Sequence, residues 1–318
     1  MSSSLFPWPG EHLATVGVFD GLHLGHRAIL DALVAAARRE RVPALLITFS
    51  PRPITVLSPG TPPDELTPLP RKLRLLAEAG ITRVAVLRFS AAFSRMEPED
   101  FLTEILGAGA GLRGIWIGHD FRFGHGRKGG WEMLQTVAAR LRIPAIRVDA
   151  IVRDGGTVSS NRIRERIRAG AIPEAARLLG RWPDLEGTVV AGRREGKRLL
   201  VATANLALPE GQCLPALGVY AGMAEWDGTW WPAVMNLGRR PTLTDGGLVV
   251  PEVHVLDLDQ DLCGRRLLFQ LRQRLREERS FPSLRELRDQ IAADIAQTRA
   301  LAASWVPPDS SLASACES

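Results

Sequence analysis

His23 and His26 stand three residues apart in the stretch VGVFDGLHLGHRAIL, with Gly25 directly before the second. The stretch opens as an apolar strand and closes as a helix. The pair therefore falls at a helix start, where side chains at i and i+3 share a face. Gly17, Gly21 and Gly25 let the backbone turn tightly and approach a ligand closely. A helix N-terminus favours anions, and two imidazoles there make a socket for phosphate oxygens whose charge grows during a reaction. A histidine pair at this spacing also serves packing; the flanking glycines and the place after the first strand favour phosphate. A metal site would need a third ligand, and none stands at a suitable spacing. A second stretch, VSSNRIRER, opens another helix with Ser159 or Ser160 as its N-cap. Arg162 and Arg164 then fall in the first turn, where the helix dipole disfavours cations; they either meet an anion such as a triphosphate or are simply solvated or paired with Glu165.

These residues need a frame. The first half alternates short apolar runs (LATVGVF, ALLITFS, RVAVLRF, GIWIG, AIRVDAIV) with helical patterns (HRAILDALVAAARRE, RKLRLLAEAG, PEDFLTEILGAG, GWEMLQTVAARL). Such alternation predicts a parallel sheet with helices on both faces, which binds ligands where its strand order reverses. Two short helices follow, SSNRIRERIRAG and IPEAARLLG. From Gly187 to about Leu271 the runs become β-like (GTVVAG, RLLVATANL, GVYAGMAEW, WWPAVMNLG, PEVHVLDL, RRLLFQLRQRL), as in a small antiparallel barrel. A last helix begins at a capping box, Ser283 with Glu286.

Composition narrows the class. The 318 residues suffice for two domains, with 45% hydrophobic and 24% charged residues and mean hydropathy near zero. No apolar run has the roughly 18 to 20 residues of a membrane helix, and the N-terminus lacks the pattern of a signal peptide. Cys213, Cys263 and Cys316 form no metal-ligand spacing and imply no disulfide framework, so the expected location is the cytoplasm. The net charge is +5. Its basic residues are nearly all arginine and spread along the chain, so neither nucleic acid nor membrane is expected as a partner. GRREGK lacks P-loop spacing, and GAGAGLRG precedes a strand where a dinucleotide fingerprint follows one.

Taken together, GVFDGLHLGH, ITFSPRP, IGHDFRFGHGRKGG and VSSNRIRERIRAGAIPEAARLLGR resemble the N-terminal half of bacterial bifunctional riboflavin kinase/FMN adenylyltransferases (FAD synthetases). GTVVAGRREGKRLLVATANL, GVYAGM, MNLGRRPTL, PEVHVLDLDQDLCGRRL and LREERSFPSLRELRDQIAADI resemble the second half, in the same order. The resemblance implies an HxGH-type, Rossmann-like nucleotidyltransferase domain over 1–184, a riboflavin-kinase barrel with a closing helix over 185–306, and a flexible tail, 307–318. It implies ATP, Mg²⁺, riboflavin and FMN as reactants and FAD as product. His23 and His26 would hold phosphates, with Gly17, Phe19, Asp20 and Gly25 bordering the nucleotide. Ser159, Ser160 and Arg164 would hold the triphosphate. Asp120, Phe121, Arg122 and Phe123 would lie beside the flavin and the adenylyl site. Glu252 would be the kinase base, Thr203 and Asn205 would hold Mg²⁺ and phosphate, and Arg276 would join the binding residues.

Several positions depart from the common pattern. Val18, Arg52 and Asn161 stand where asparagine, histidine and threonine are frequent, and Cys263, read as a packing residue, replaces tyrosine. Leu200-Val201-Ala202 replaces Gly-Phe-Pro before Thr203, which loses both a permissive glycine and a rigid proline. A kinase weaker than the adenylyltransferase is expected. The alternatives are a monofunctional FMN adenylyltransferase and a non-catalytic flavin or nucleotide sensor.

Overall fold

A computed structural model describes residues 10–58, 60, 62–104, 111–191, 203–240 and 248–306. Backbone proximity divides the chain into two compact units, Met1–Ser160 and Asn161–Ser318. Among the described residues no helix is long and apolar enough to cross a membrane.

The first unit is built on β1 (His12–Val16), β2 (Ala44–Phe49), β3 (Arg83–Leu87), β4 (Leu112–Gly118) and β5 (Ala145–Val148). All five pair in parallel, in the order β3-β2-β1-β4-β5. The chain lays β2 and β3 on one side of β1 and then places β4 on the other, so the strand order reverses between β1 and β4. Helices α1 (Leu24–Glu40), α2 (Pro53–Leu57), α3 (Leu69–Glu78), α4 (Pro98–Leu102) and α5 (Trp131–Arg140) connect the strands. The central strands are apolar on both faces because both are covered. Leu13, Leu46 and Trp116 pack with Leu30, Leu33 and Leu76 of α1 and α3. Ala14, Leu45, Ile47, Ile115 and Ile117 face the other way, toward Phe101 of α4 and Leu134 and Val137 of α5. Each such aliphatic side chain contributes about 1.5–3 kcal/mol by burial.

One expected element differs. AIRVDAIV is not one strand: β5 ends at Val148, and Val152 belongs to a hairpin of β6 (Val152–Arg153) and β7 (Gly156–Thr157). The cause is Asp154-Gly155, whose φ values of 49° and 74° fit the two-residue loops that join such strands. Of PEDFLTEILGAG, the described α-helix covers Pro98–Leu102; residues 105–110, with the start of GAGAGLRG, lie outside the described residues.

The second unit holds α6 (Ser160–Arg168, whose first residue closes the other unit) and α7 (Ile172–Leu179). It continues with β8 (Asp184–Val190), β9 (Ala204–Ala207), β10 (Gly218–Trp226), β11 (Thr229–Arg240), β12 (Leu248–Val255), β13 (Arg266–Arg276) and α8 (Leu284–Ala302). The strands close an antiparallel barrel in the order β10-β11-β12-β9-β8-β13. Alternate residues point inward: Leu185, Leu206, Tyr220, Met235, Val253 and Phe269 fill the interior. Burial pushes the Tyr220 phenol up to about 12, and its hydroxyl donates to the Ala216 carbonyl. Helix α8 packs on β10 and β11. Its Ser283 hydroxyl accepts from the Glu286 N–H at 3.2 Å, as a capping residue does. The Glu286 carboxylate meets the Ser283 hydroxyl at 3.1 Å rather than its backbone N–H. Cys263 is exposed, not a packing residue; its N–H donates to Asp261 in a turn. The segments 192–202 and 307–318, with GRREGK, Leu200-Val201-Ala202 and the tail, lie outside the described residues.

Candidate active site

The histidine turn leaves β1 at the reversal of strand order. Phe19 (φ 50°), Gly21 (φ 89°) and Leu22 (φ 43°) all take the left-handed region, so the chain doubles back before α1 begins. His23 is the N-cap of α1, and its Nδ1 accepts from the His26 N–H at 3.4 Å. The two imidazoles stack, with centroids 3.7 Å apart and planes 14° from parallel. A side chain on Gly25 would press on the His23 ring, 3.2 Å from its Cε1. Glycine before the second histidine is thus what lets the first ring fold back over the helix start. Phe19 is buried and tilts against His26 at 5.0 Å.

Burial first, then His23, then Lys72 hold the His26 imidazole well below its ordinary value of 6.5. Its Nδ1 is buried without a hydrogen-bond partner among the described residues. A sign follows. The folded chain keeps this ring neutral where the unfolded chain protonates it, so the stability it contributes is complete above 6.5 and is lost as pH falls through the lowered value. Calorimetry should show a melting temperature that drops from about pH 7 to about pH 5, and a shallower drop for His26→Gln.

Beneath the turn lies a buried charge cluster that sequence reading missed, because its members are far apart along the chain. Asp20 Oδ1 accepts from the Leu66 and Thr67 N–H groups at 2.9 and 3.2 Å. Its Oδ2 accepts from Arg52 Nη1 at 3.3 Å. Arg52 Nη2 donates to the Pro63 carbonyl, and its Nε lies 2.9 Å from Glu65. Lys72 Nζ donates to the Val18 carbonyl at 3.1 Å, and burial is the main cause of its lowered pKa. Asp20, Arg52 and Lys72 are all buried. Two cations and two anions balance here, and removing one would strand a buried charge at about 3–5 kcal/mol. Asp20 is accordingly a brace of the turn. Val18 serves through its backbone carbonyl, which also accepts from Thr48. The start of α6 adds a further tie: Ser160 Oγ donates to the Asp20 carbonyl at 2.9 Å.

On the other side of the reversal, an open cavity of roughly 300 Å³ lies at the ends of β4 and β5. Gly118, Asp120, Phe121, Arg122, Arg127 and Arg147 are among its lining. Arg147 sits over the Trp131 ring at 5.3 Å. Phe123 does not line it: the ring is buried between Phe101 and Phe121, at 5.5 and 5.4 Å, as core. In α6, Arg164 is buried one turn beyond Ser160, and its Nη1 donates to Asn161 Oδ1 at 2.6 Å. Ser159 falls at the cap position.

In the barrel unit, strand register brings distant residues onto one row. Asn236 pairs with Glu252, Glu252 with Asn205, and Val219 with both Asn236 and Arg276. Inward-facing Met235 and Val253 alternate with Asn236 and Glu252, so the row runs around the outside of the barrel. Asn205 is buried, Glu252 and Asn236 half-buried, and Thr203 exposed just before β9. Arg276 forks onto the buried Asp294 of α8, with Nε 3.1 Å and Nη2 2.9 Å from Oδ2; Nη1 donates to the Glu277 carbonyl. Its guanidinium thus braces helix against barrel. Asn236 is the row member that sequence reading missed. Among the described residues no three His, Cys, Asp or Glu side chains converge as a metal site. Thr203 and Asn205 offer neutral oxygens, the donor type that suits a hard cation carried on phosphate.

A parallel sheet with a histidine turn at its reversal, followed by a closed barrel bearing a carboxylate row, defines a two-unit phosphate-handling transferase. Comparison with known proteins makes the assignment specific. The FAD synthetase family matches residues 8–162 and the riboflavin kinase family residues 179–302. A bifunctional riboflavin kinase/FMN adenylyltransferase of Pseudomonas fluorescens is 37% identical over 291 residues, covering 92% of this chain and 93% of that protein. The protein of the same description from Escherichia coli K12 is 35% identical over 284 residues, covering 88% and 89%. A crystal structure described as a macrolide-efflux protein from Streptococcus pneumoniae is also similar, with a TM-score of 0.83 and 29% identity, covering 94% of this chain and 96% of that one. The chain belongs to the bifunctional riboflavin kinase/FMN adenylyltransferase family.

Proposed function

We propose that the chain makes FAD in two ATP-dependent steps, phosphorylating riboflavin to FMN and adenylylating FMN. The observation that carries this is the pairing, in one chain matched by both families, of the stacked histidine turn with the Glu252 row. We place the working boundary at 184, with the kinase part over 185–306, and the protein in the cytoplasm.

In the adenylyl step an FMN phosphate oxygen forms a bond to the α-phosphorus of ATP, and the bond to the bridging oxygen breaks to release pyrophosphate. The nucleophile is already ionised, so the chain supplies position and charge. His23 and His26 take phosphate oxygens at the start of α1, and Ser159, Ser160 and Arg164 take the triphosphate. Gly17 and Gly25 keep the turn close to the nucleotide, while Phe19 and Asp20 fix its shape. Asp120 and Arg122, with Phe121, receive the flavin and adenylyl groups. In the kinase step Glu252 accepts the proton of the terminal ribityl hydroxyl as its oxygen attacks the γ-phosphorus and ADP leaves. Thr203 and Asn205 would hold Mg²⁺, which neutralises phosphate charge when bound.

The test is product analysis by chromatography, with ATP and Mg²⁺ and either riboflavin or FMN. FAD from both supports the reading, with the riboflavin reaction the slower if Leu200-Val201-Ala202 weakens the kinase. FAD from FMN alone would mean an inactive kinase, and FAD from neither would favour a sensor.

A further inference from the structure

The segment between β13 and α8 is anchored at both ends, by Arg276 on Asp294 and by the Ser283 cap. Between these anchors Glu278 folds back over the barrel. Its carboxylate occupies the space where a side chain on Gly238 would stand, and Asn236 Nδ2 is 3.3 Å from the same point. Gly238 and Asn236 share the outer face of β11, and Asn236 pairs directly with Glu252. Neither the Glu278 carboxylate nor the Asn236 amide has a hydrogen-bond partner among the described residues. An ionised carboxylate only accepts. Beside a polyphosphate it would repel; beside a neutral, donor-rich molecule it would bind.

We propose that Glu278, admitted by Gly238, is a specificity-determining residue of the kinase, accepting a hydrogen bond from the flavin substrate. The donors on that substrate are the ribityl hydroxyls that are not phosphorylated and the ring imide N–H. The inference rests on the reading of the Glu252 row as the kinase site.

Steady-state FMN formation tests it in the full chain. Glu278→Ala and Gly238→Ala should each raise the riboflavin KM about tenfold, the worth of a hydrogen bond to a charged group. The ATP KM and the FMN-to-FAD rate should not move. Gly238→Ala keeps Glu278 and needs only the end of its flexible side chain to shift, so it separates the contact from folding. Glu278→Gln still accepts and should fall between. Two analogues identify the donor: a flavin with a 5-hydroxypentyl chain lacks the inner hydroxyls, and N3-methylriboflavin lacks the imide N–H. The penalty of Glu278→Ala should vanish on one of them. An unmoved riboflavin KM in both alanine variants, with Glu252→Gln inactive as a kinase, overturns the proposal alone. Full kinase activity in Glu252→Gln overturns the site and the placement of Glu278 with it.

Discussion

A His26→Ala chain should form FAD from FMN about a hundred- to a thousandfold more slowly than the parent, the usual loss when a donor to developing phosphate charge is removed. FMN formation from riboflavin should be unaffected. The ring is held neutral by burial, by its stacked neighbour and by Lys72, so it meets phosphate without a counterion to displace. The remainder of the socket, the N–H groups at the start of α1 and the His23 ring, stays in place, and residual activity above background is expected. Initial rates at saturating ATP and FMN measure this. A rate equal to the parent's would remove the histidine pair from the chemistry and leave it a packing feature.

Glu252→Gln should lower kcat for riboflavin phosphorylation by about a hundred- to ten-thousandfold, the span of a lost general base. The substitution keeps the shape of the row across β11, β12 and β9 and deletes only the ability to take a proton. The fall should therefore lie in kcat with little change in the riboflavin KM, opposite to the pattern set out for Glu278. FAD formation from supplied FMN is the internal control. If riboflavin turnover persists at the parent rate, another group takes the hydroxyl proton.

The sheet was legible because its central strands are apolar runs bounded by turn residues, and the barrel because turn residues separate its β-like runs. GVYAGMAEW is β10 from end to end. The hairpin at Asp154-Gly155 was legible in principle: Asp-Gly between short extended segments is a strong signal, obscured by the apolar run before it. Arg52 could not be read, since its ion-pair partners Asp20 and Glu65 are far away along the chain until the fold brings them together. Phe123 misled because an aromatic beside a basic loop suits a ligand as well as a core. Asn236 needed the strand register, and the bond of Arg276 to Asp294 needed the packing of α8, neither of which a local pattern specifies.

The outer row has a consequence for how the chain matures. Its members come from β9, β10, β11, β12 and β13, and β13 is the strand that pairs with both β8 and β10 to close the barrel. The sheet unit, by contrast, is finished before the barrel strands leave the ribosome, and domains fold as units in the order of synthesis. The residues assigned to the adenylyl step are thus all synthesised while the FMN-producing half still lacks the last staves of the barrel.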